Sequence, residues 1–339
     1  MPSSQQTIDL SASCQHIASE AFPNQHSATV TIRSCLAHPD LWPILRDHKC
    51  NGVTLTPSGL YGDMAITVAK YIWKKLYPDK PLPGINVADK HVTKTYICDN
   101  PQIGDGQWLE MRAVAEDLSS SGTIECSFLS IRPDGLKLDD LAHCIVKLEK
   151  ESDWLAEWAL VQPLIASRIQ TLQARAQVEA SGAVRTIQRE QAYELFKSFV
   201  EYDGKYRAMS EVIVDKETLE ATSLLEIQAD PEKDLVGPYY LDGTCHLSGF
   251  VCNVTDEDSR KNAYISHGWE SARVLNGFDP KAGKELGNYV HMEPEGKDVL
   301  CGTVYVLQDG EMVAVWEGVR FKRIPRRVLD VFLPPPKRM

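Results

Sequence analysis

Two hydrophobic periods divide this chain. In SATVTIRSCL, beginning at Ser27, Val30 and Ile32 fall two residues apart, the repeat of a strand with one face in a core. Past Thr56 and Pro57 the spacing lengthens. Leu60, Met64, Val68 and Ile72 recur every fourth residue, the repeat of a helix, with Thr56 placed to cap it and Pro57 in its first turn. Gly62, Ala65 and Ala69 keep several faces of that helix small, which suits a helix wrapped by other structure. Strand patterns then follow at QWLEMRAVAE, GTIECSFLSI and AHCIVKLEK, the last two joined through the turn signal RPDG.

From Glu151 to Glu194 the pattern predicts helix and connection: SDWLAEWALVQPLIASRIQTLQARAQ, then TIQREQAYELFKSF, with a boundary near 180–183. The first order then returns. Strands are predicted at YRAMSEVIV and ATSLLEIQ, a short helix over 241–253, and strands at NAYISHGWESARVL, ELGNYVHMEP, LCGTVYVLQ and EMVAVWEGVRFKRI. Asp309-Gly310 between the last two is a tight-hairpin signal. Each half therefore offers one core helix and a meander of antiparallel strands. The fold class this predicts is α+β, a double hot-dog of two antiparallel sheets, each wrapped around a central helix. Its parts would be an N-terminal hot-dog over 1–150, a helical linker over 151–185 and a C-terminal hot-dog over 186–339. A generic α+β pair fits the same pattern.

Composition narrows the function. The 339 residues allow about two domains, and 43% hydrophobic with 24% charged residues is ordinary for a globular protein. A net charge of -11 without a basic stripe argues against nucleic acid. The one basic run, RFKRIPRR, reads as the solvated end of a strand. Nine cysteines, an odd number with no CxxC pair, fit a reducing compartment and neither a disulfide framework nor a zinc site. The N-terminal residues are polar, without the apolar core of a signal peptide, and no apolar run approaches the ~20 residues of a membrane span. The expected location is cytoplasmic.

Two stretches carry candidate chemistry. His48 precedes a glycine turn at Gly52. Far downstream, Asp242, His246, Gly249, Phe250 and Asn253 share one face of the predicted second helix. Asp242 lies near its start, where the macrodipole favours an ionised carboxylate. Such a carboxylate can hold a histidine Nδ1–H and leave the other ring nitrogen free as a base. Taken singly, each residue is ordinary: a structural histidine before a turn, a helix cap, a packed His246. His91, His143, His267 and His291 have no partner at metal spacing, the Gly-x-Gly at 104–106 is too short for a phosphate loop, and PSG at 57–59 lacks the GxSxG frame. Cys245 and Cys252 read as small core residues.

Together the stretches say more. HKCNGVTLTP fits HxxxGxxxxP, and LDGTCH fits DxxxH or DxxxQ, two motifs of the double hot-dog dehydratases of polyketide and fatty acid synthases. Longer segments, SASCQHIASEAF, HKCNGVTLTPSGLYGDMA, FVEYDGKYRAMSEV, LDGTCHLSGFVCN and AYISHGWES, resemble the product template domain of fungal non-reducing polyketide synthases. They run in order from about residue 10 to the final IPRRVLDVFLPP, nearly the whole chain.

The resemblance implies a double hot-dog with a catalytic pair, His48 as base and Asp242 to orient it. It implies a substrate pocket with Asn253 as a polar residue, His246 where a glutamine can also stand, and Ser266 where an asparagine is also seen. Gly52, Pro57 and Tyr61 are the further residues expected along the substrate. Such domains direct regiospecific aldol cyclisation and aromatisation of a linear poly-β-ketone, tethered through phosphopantetheine to an acyl carrier protein. No metal or cofactor of the domain's own is expected. The expected partners are the carrier and neighbouring synthase domains, with homodimerisation open. The residue types suit this chemistry, since a neutral imidazole, with an ordinary pKa of about 6.5, can deprotonate a methylene between two carbonyls. Two alternatives stand beside it. A β-hydroxyacyl dehydratase would use the same pair with Asp242 as acid, although the dehydratase pattern GYxYGPxF is absent and VEYDGKYRAM, with Tyr202 and Tyr206, stands in the comparable region. A non-catalytic module would only shelter the carrier-bound chain. Chain length and the carbons joined depend on pocket shape.

Overall fold

The computed structural model of the chain describes residues 10–98, 106–178, 182–228, 237–254, 261–278 and 285–334. Strands β1 (His16–Asn24) and β2 (Ser27–Cys35) form a hairpin. In β2 Ala28, Val30 and Ile32 are buried and Thr29, Thr31 and Arg33 are half-exposed, as the alternation predicts. A short helix α1 (Trp42–Arg46) leads to a small hairpin, β3 (His48–Cys50) and β4 (Val53–Thr54), and then to helix α2 (Ser58–Leu76). Strands β5 (Gly84–Val92), β6 (Trp108–Ala115), β7 (Thr123–Ile131) and β8 (Lys137–Glu149) complete the first half. Leu60, Met64, Val68 and Ile72 of α2 are fully buried against these strands. At ~1.5–3 kcal/mol for each such side chain, this one row is a major source of the half's stability.

The long helix α3 (Glu151–Val178) follows. Trp154, Trp158, Ile165 and Leu172 lie at spacings of four and seven, so one face is apolar. It packs on Ile213, Tyr289, Leu307, Met312 and Val315, on the outer face of the second half. The second half contains β9 (Val184–Gln188), α4 (Arg189–Phe196), β10 (Val200–Tyr202), β11 (Met209–Asp215), β12 (Glu220–Leu225), α5 (Pro238–Val254), β13 (Asn262–Trp269), β14 (Ser271–Val274), β15 (Leu286–Pro294), β16 (Val299–Gln308), β17 (Glu311–Pro325) and α6 (Arg326–Phe332). Asp309 and Gly310 both have positive φ, 51° and 83°, and close the β16–β17 hairpin.

One expectation is extended and three change. The two sheets are one: a continuous antiparallel sheet of 14 strands runs β1-β2-β6-β7-β8-β5-β13-β17-β16-β15-β12-β11-β9, with β14 bridging β17 and β5. Pairing β5 with β13 and β14 satisfies two edges that separate sheets would leave open. Residues 184–188 form strand β9, not helix, because pairing with β11 puts Val184 under α3 and Ile187 in the central core, on opposite faces. The stretch read as a single strand from Asn262 breaks at Glu270 into β13 and β14. Thr56 does not cap α2. The N-cap is Pro57, without a side-chain bond, and Thr56 Oγ1 instead hydrogen-bonds the Tyr61 hydroxyl at 2.9 Å. The expected boundary near 180–183 lies mostly outside the described residues.

Candidate active site

The two core helices meet at a glycine. A Cβ on Gly59 would stand 2.8 Å from the Asp242 backbone nitrogen and 3.0 Å from both its Cβ and the Pro238 carbonyl oxygen. Only a bare α-carbon lets the start of α2 approach the start of α5 so closely. That contact brings Asp242 to the mouth of the first half, where β3 carries His48. A three-residue strand is weak alone, and His48 is fixed from three sides. Its backbone pairs with Tyr202 of β10, its carbonyl accepts from Leu55 N–H at 3.2 Å, and Asn51 and Gly52 (φ 54° and 77°) turn the chain sharply behind it.

Asp242 and His246 lie one turn apart on α5, and His246 Nε2 donates to Asp242 Oδ2 at 2.9 Å. Gly59 N–H reaches Oδ1 at 3.4 Å. His246 is 3% exposed and stacks on the Tyr202 ring at 3.8 Å. Tyr202 also meets His48 edge-on at 5.4 Å, so one tyrosine ring lies between the two histidines. His48 Nδ1 and His246 Nδ1 are buried with no hydrogen-bond partner among the described residues.

These groups line one partly open cavity, about 1000 Å³ of empty space including its mouth. Its wall is mostly apolar, with Tyr61, Phe196, Trp269 and Phe321 prominent, and its polar groups include His48, Asp242, His246, Ser58 and Ser266. Burial depresses the His48 imidazolium below the usual histidine range; the Asp242 carboxylate opposes this and His246 adds to it. Burial would raise the Asp242 carboxyl, but the His246 hydrogen bond, the two histidines and Gly59 N–H outweigh it and hold Asp242 below its ordinary value. The resting site thus favours a neutral His48 beside an ionised Asp242.

The structure brings His48, Asp242, His246, Tyr61 and Ser266 to this cavity and leaves out three residues expected there. Asn253 is 2% exposed and faces away. Its amide donates to Gly249 O and Tyr264 O, each at 3.0 Å, and its oxygen accepts from Tyr264 N–H at 2.9 Å. Both amide hydrogens are thus taken within the fold, and Asn253 is a staple between α5 and β13. Gly52 turns the β3–β4 hairpin, and Pro57 starts α2. Both shape the site without lining it. Asp242 is also bonded otherwise than expected. Its oxygens engage His246 and Gly59, and its link to His48 is electrostatic, because the i, i+4 histidine on its own helix is the nearer donor. Sequence reasoning missed the lining residues Ser58 and Trp269 and the role of Tyr202 between the histidines. Only the product-template-like segment VEYDGKYRAM pointed toward Tyr202.

Comparison with known proteins bears on the fold and the family. The double hot-dog is shared with the dehydratase domain of the CurK module of curacin polyketide synthase (TM-score 0.62, 15% identity, covering 91% of this chain and 96% of that one). It is shared also with the RzxB dehydratase domain of Pseudomonas fluorescens (TM-score 0.65, 12% identity, 93% and 100% covered). Residues 171–330 match the polyketide synthase dehydratase N-terminal domain family. By fold, then, the chain is dehydratase-like. Over 332 residues the chain is 43% identical to a non-reducing polyketide synthase of Zymoseptoria tritici, covering 97% of this chain and 15% of that protein. It is 34% identical over 317 residues to the conidial pigment polyketide synthase of Aspergillus fumigatus, covering 93% and 14%. The chain therefore belongs with the fungal non-reducing polyketide synthases, as one dehydratase-like domain of that family, and spans about a seventh of the length of these relatives. The double hot-dog and the resemblance to a domain of these synthases are both borne out.

Proposed function

We propose that the domain is a product template. It takes a linear poly-β-ketone from an acyl carrier protein, folds it, and directs one aldol cyclisation followed by aromatisation. The observation that carries this reading is a neutral base and an ionised carboxylate facing one mostly apolar cavity. His48 removes a proton from a methylene between two carbonyls. The electron pair shifts onto a carbonyl oxygen as an enolate, and the enolate carbon bonds to a distant carbonyl carbon of the same chain. That carbonyl oxygen takes up a proton, and loss of water then gives the ring. Asp242 stabilises the imidazolium formed in the first step. The apolar walls fold the chain so that the two carbons meet, the part of the barrier that positioning lowers.

The dehydratase reading has one observation in its favour, the family of the matching model. It needs an acid to protonate a departing hydroxyl, and Asp242, held below its ordinary value, is poorly placed to be one. Product analysis of the domain, supplied with carrier-bound poly-β-ketone by its synthase partners, decides between them. A single aromatic isomer that disappears in a folded His48→Ala variant is expected. An enoyl thioester would establish the dehydratase, and an unchanged chain a sheltering module.

A further inference from the structure

One charged side chain is buried in the wall behind this cavity and has no role in the steps above. Lys90 is 3% exposed and makes no ion pair among the described residues. Its Nζ lies 4.5 Å from the centroid of the Trp269 ring and 5.6 Å from that of Tyr61, two rings of the cavity wall. Among the described residues its side chain makes one hydrogen bond, donated to Ser58 Oγ at 2.7 Å.

The backbone is shaped to put it there. The β5 register slips between Ala88 and His91, and Asp89 adopts φ 49°. The slip turns Asp89 outward and Lys90 inward. Across the seam, Gly268 has φ 131°, and a Cβ there would stand 1.9 Å from the Lys90 carbonyl oxygen. Two local irregularities thus converge on a lysine that an apolar residue would replace with less desolvation.

Ser58 is the first residue of α2, half-buried, and lines the cavity. Its oxygen accepts from Lys90, and its own hydrogen has no acceptor among the described residues. A hydroxyl held by an ammonium from behind, at the N-terminus of a 19-residue helix, is a donor aimed at developing negative charge.

We propose that Ser58 is a catalytic residue, the hydrogen-bond donor to the oxygen that becomes negative when His48 deprotonates the substrate, and that Lys90 is the positioning residue that turns the Ser58 hydroxyl outward. This rests on the cyclase reading for the identity of the substrate, but the donor itself serves any enolisable β-keto thioester. The arrangement carries a pH signature. Burial pushes Lys90 down to about 7, opposed by Cys144 of β8 and by Asp242 and Cys245 of α5; His91 and His267 alongside are lowered chiefly by burial and by the neighbouring histidine, with the ammonium a smaller cause. As pH rises through about 7 the ammonium becomes an amine, which accepts the Ser58 hydrogen and withdraws it from the cavity. Turnover should therefore fall on that limb.

The test uses the full chain with two readouts. One is turnover of carrier-bound poly-β-ketone. The other is the pH midpoint at which bound acetoacetyl-pantetheine forms its enolate, followed in the near ultraviolet. Ser58→Ala should lower kcat about 100-fold with little change in KM, and should raise the probe's midpoint. Ser58→Thr keeps a hydroxyl and should restore both. Lys90→Met should lower kcat by a smaller factor and remove the decline above pH ~7. Added to Ser58→Ala it should cost little more, because the two act as a unit. Wild-type kcat and midpoint in Ser58→Ala would overturn the proposal and leave the cyclase reading standing. A raised midpoint in Ser58→Ala, with no ring formed even by wild type, would keep the donor and remove the cyclase.

Discussion

In the proposed reaction His48 is the base, and its environment sets when it works. A desolvated imidazole favours its neutral form, so the pH–rate profile of kcat/KM should rise below the usual histidine midpoint of about 6.5 and be level above it until Lys90 titrates. A rising limb at or above 6.5 would argue that another group is the base. Asp242→Asn keeps the shape beside His246 and removes the charge that stabilises imidazolium. It should lower kcat on the order of 10²–10⁴-fold and move the rising limb to still lower pH. A limb that moves upward, or stays, would mean that Asp242 does not act through His48. Asn253 should behave differently. Asn253→Ala removes the acceptor of the part-buried Tyr264 N–H and the donor to two carbonyls, costing about 1–3 kcal/mol in denaturant unfolding while leaving the rising limb in place. At this scale the sequence told much about His48 and Asp242, because HxxxGxxxxP and DxxxH tie each to a local turn or helix. It misplaced Asn253 because helical spacing gives a face but not which neighbour covers that face. It was silent on Lys90 and Ser58, whose meeting depends on a strand slip and on β5 passing α2.

Elements were legible where one period ran unbroken for several turns or pleats. That describes β2, β6, β7, α2, α5 and the β16–β17 hairpin, in which Asp309-Gly310 adopts the positive φ pair its residues favour. Misreadings came where pairing partners overrode local pattern, at β9 beneath α3 and at the Glu270 break. The histidines without metal spacing do meet. His91, His143 and His267 cluster, with the His267 and His143 ring centroids 4.5 and 5.5 Å from that of His91, brought together by the pairing of β5, β8 and β13. The α2–α5 crossing is the element-level feature on which the site depends. Gly59→Ala should gain up to ~1 kcal/mol in helix propensity, yet the new methyl meets the Asp242 backbone 2.8 Å away and must push the helices apart. Activity should fall more steeply than thermal stability. If turnover stays at the wild-type level, the crossing does not hold Asp242 in place.

At the scale of the molecule, neither half has a complete site. His48 comes from the first, while Asp242, His246 and Tyr202 come from the second, and the continuous sheet makes the halves one body. The sequence suggested two hot-dogs joined by a linker because a repeat of helix and meander signals two wrapped helices and gives no sign that the sheet edges fuse. The helix read as a linker is a layer: it belongs to the chain of the first half and buries its apolar face on the sheet of the second. The β5 seam, α3, the α2–α5 crossing and the β3–β10 pairing all cross between the parts. Cleavage within 179–181 should leave the pieces together, co-eluting in gel filtration and retaining turnover, because these crossing contacts survive it. Leu172→Asp should do the reverse in an intact chain. An unpaired carboxylate placed where Leu172 is 1% exposed should cost several kcal/mol and loosen α3 from β9 and β11. Combined with cleavage, it should weaken the association of the two pieces. If cleaved wild-type pieces separate under native conditions, the seam and helix are too weak to join the halves, and the site must owe its geometry to chain connectivity instead.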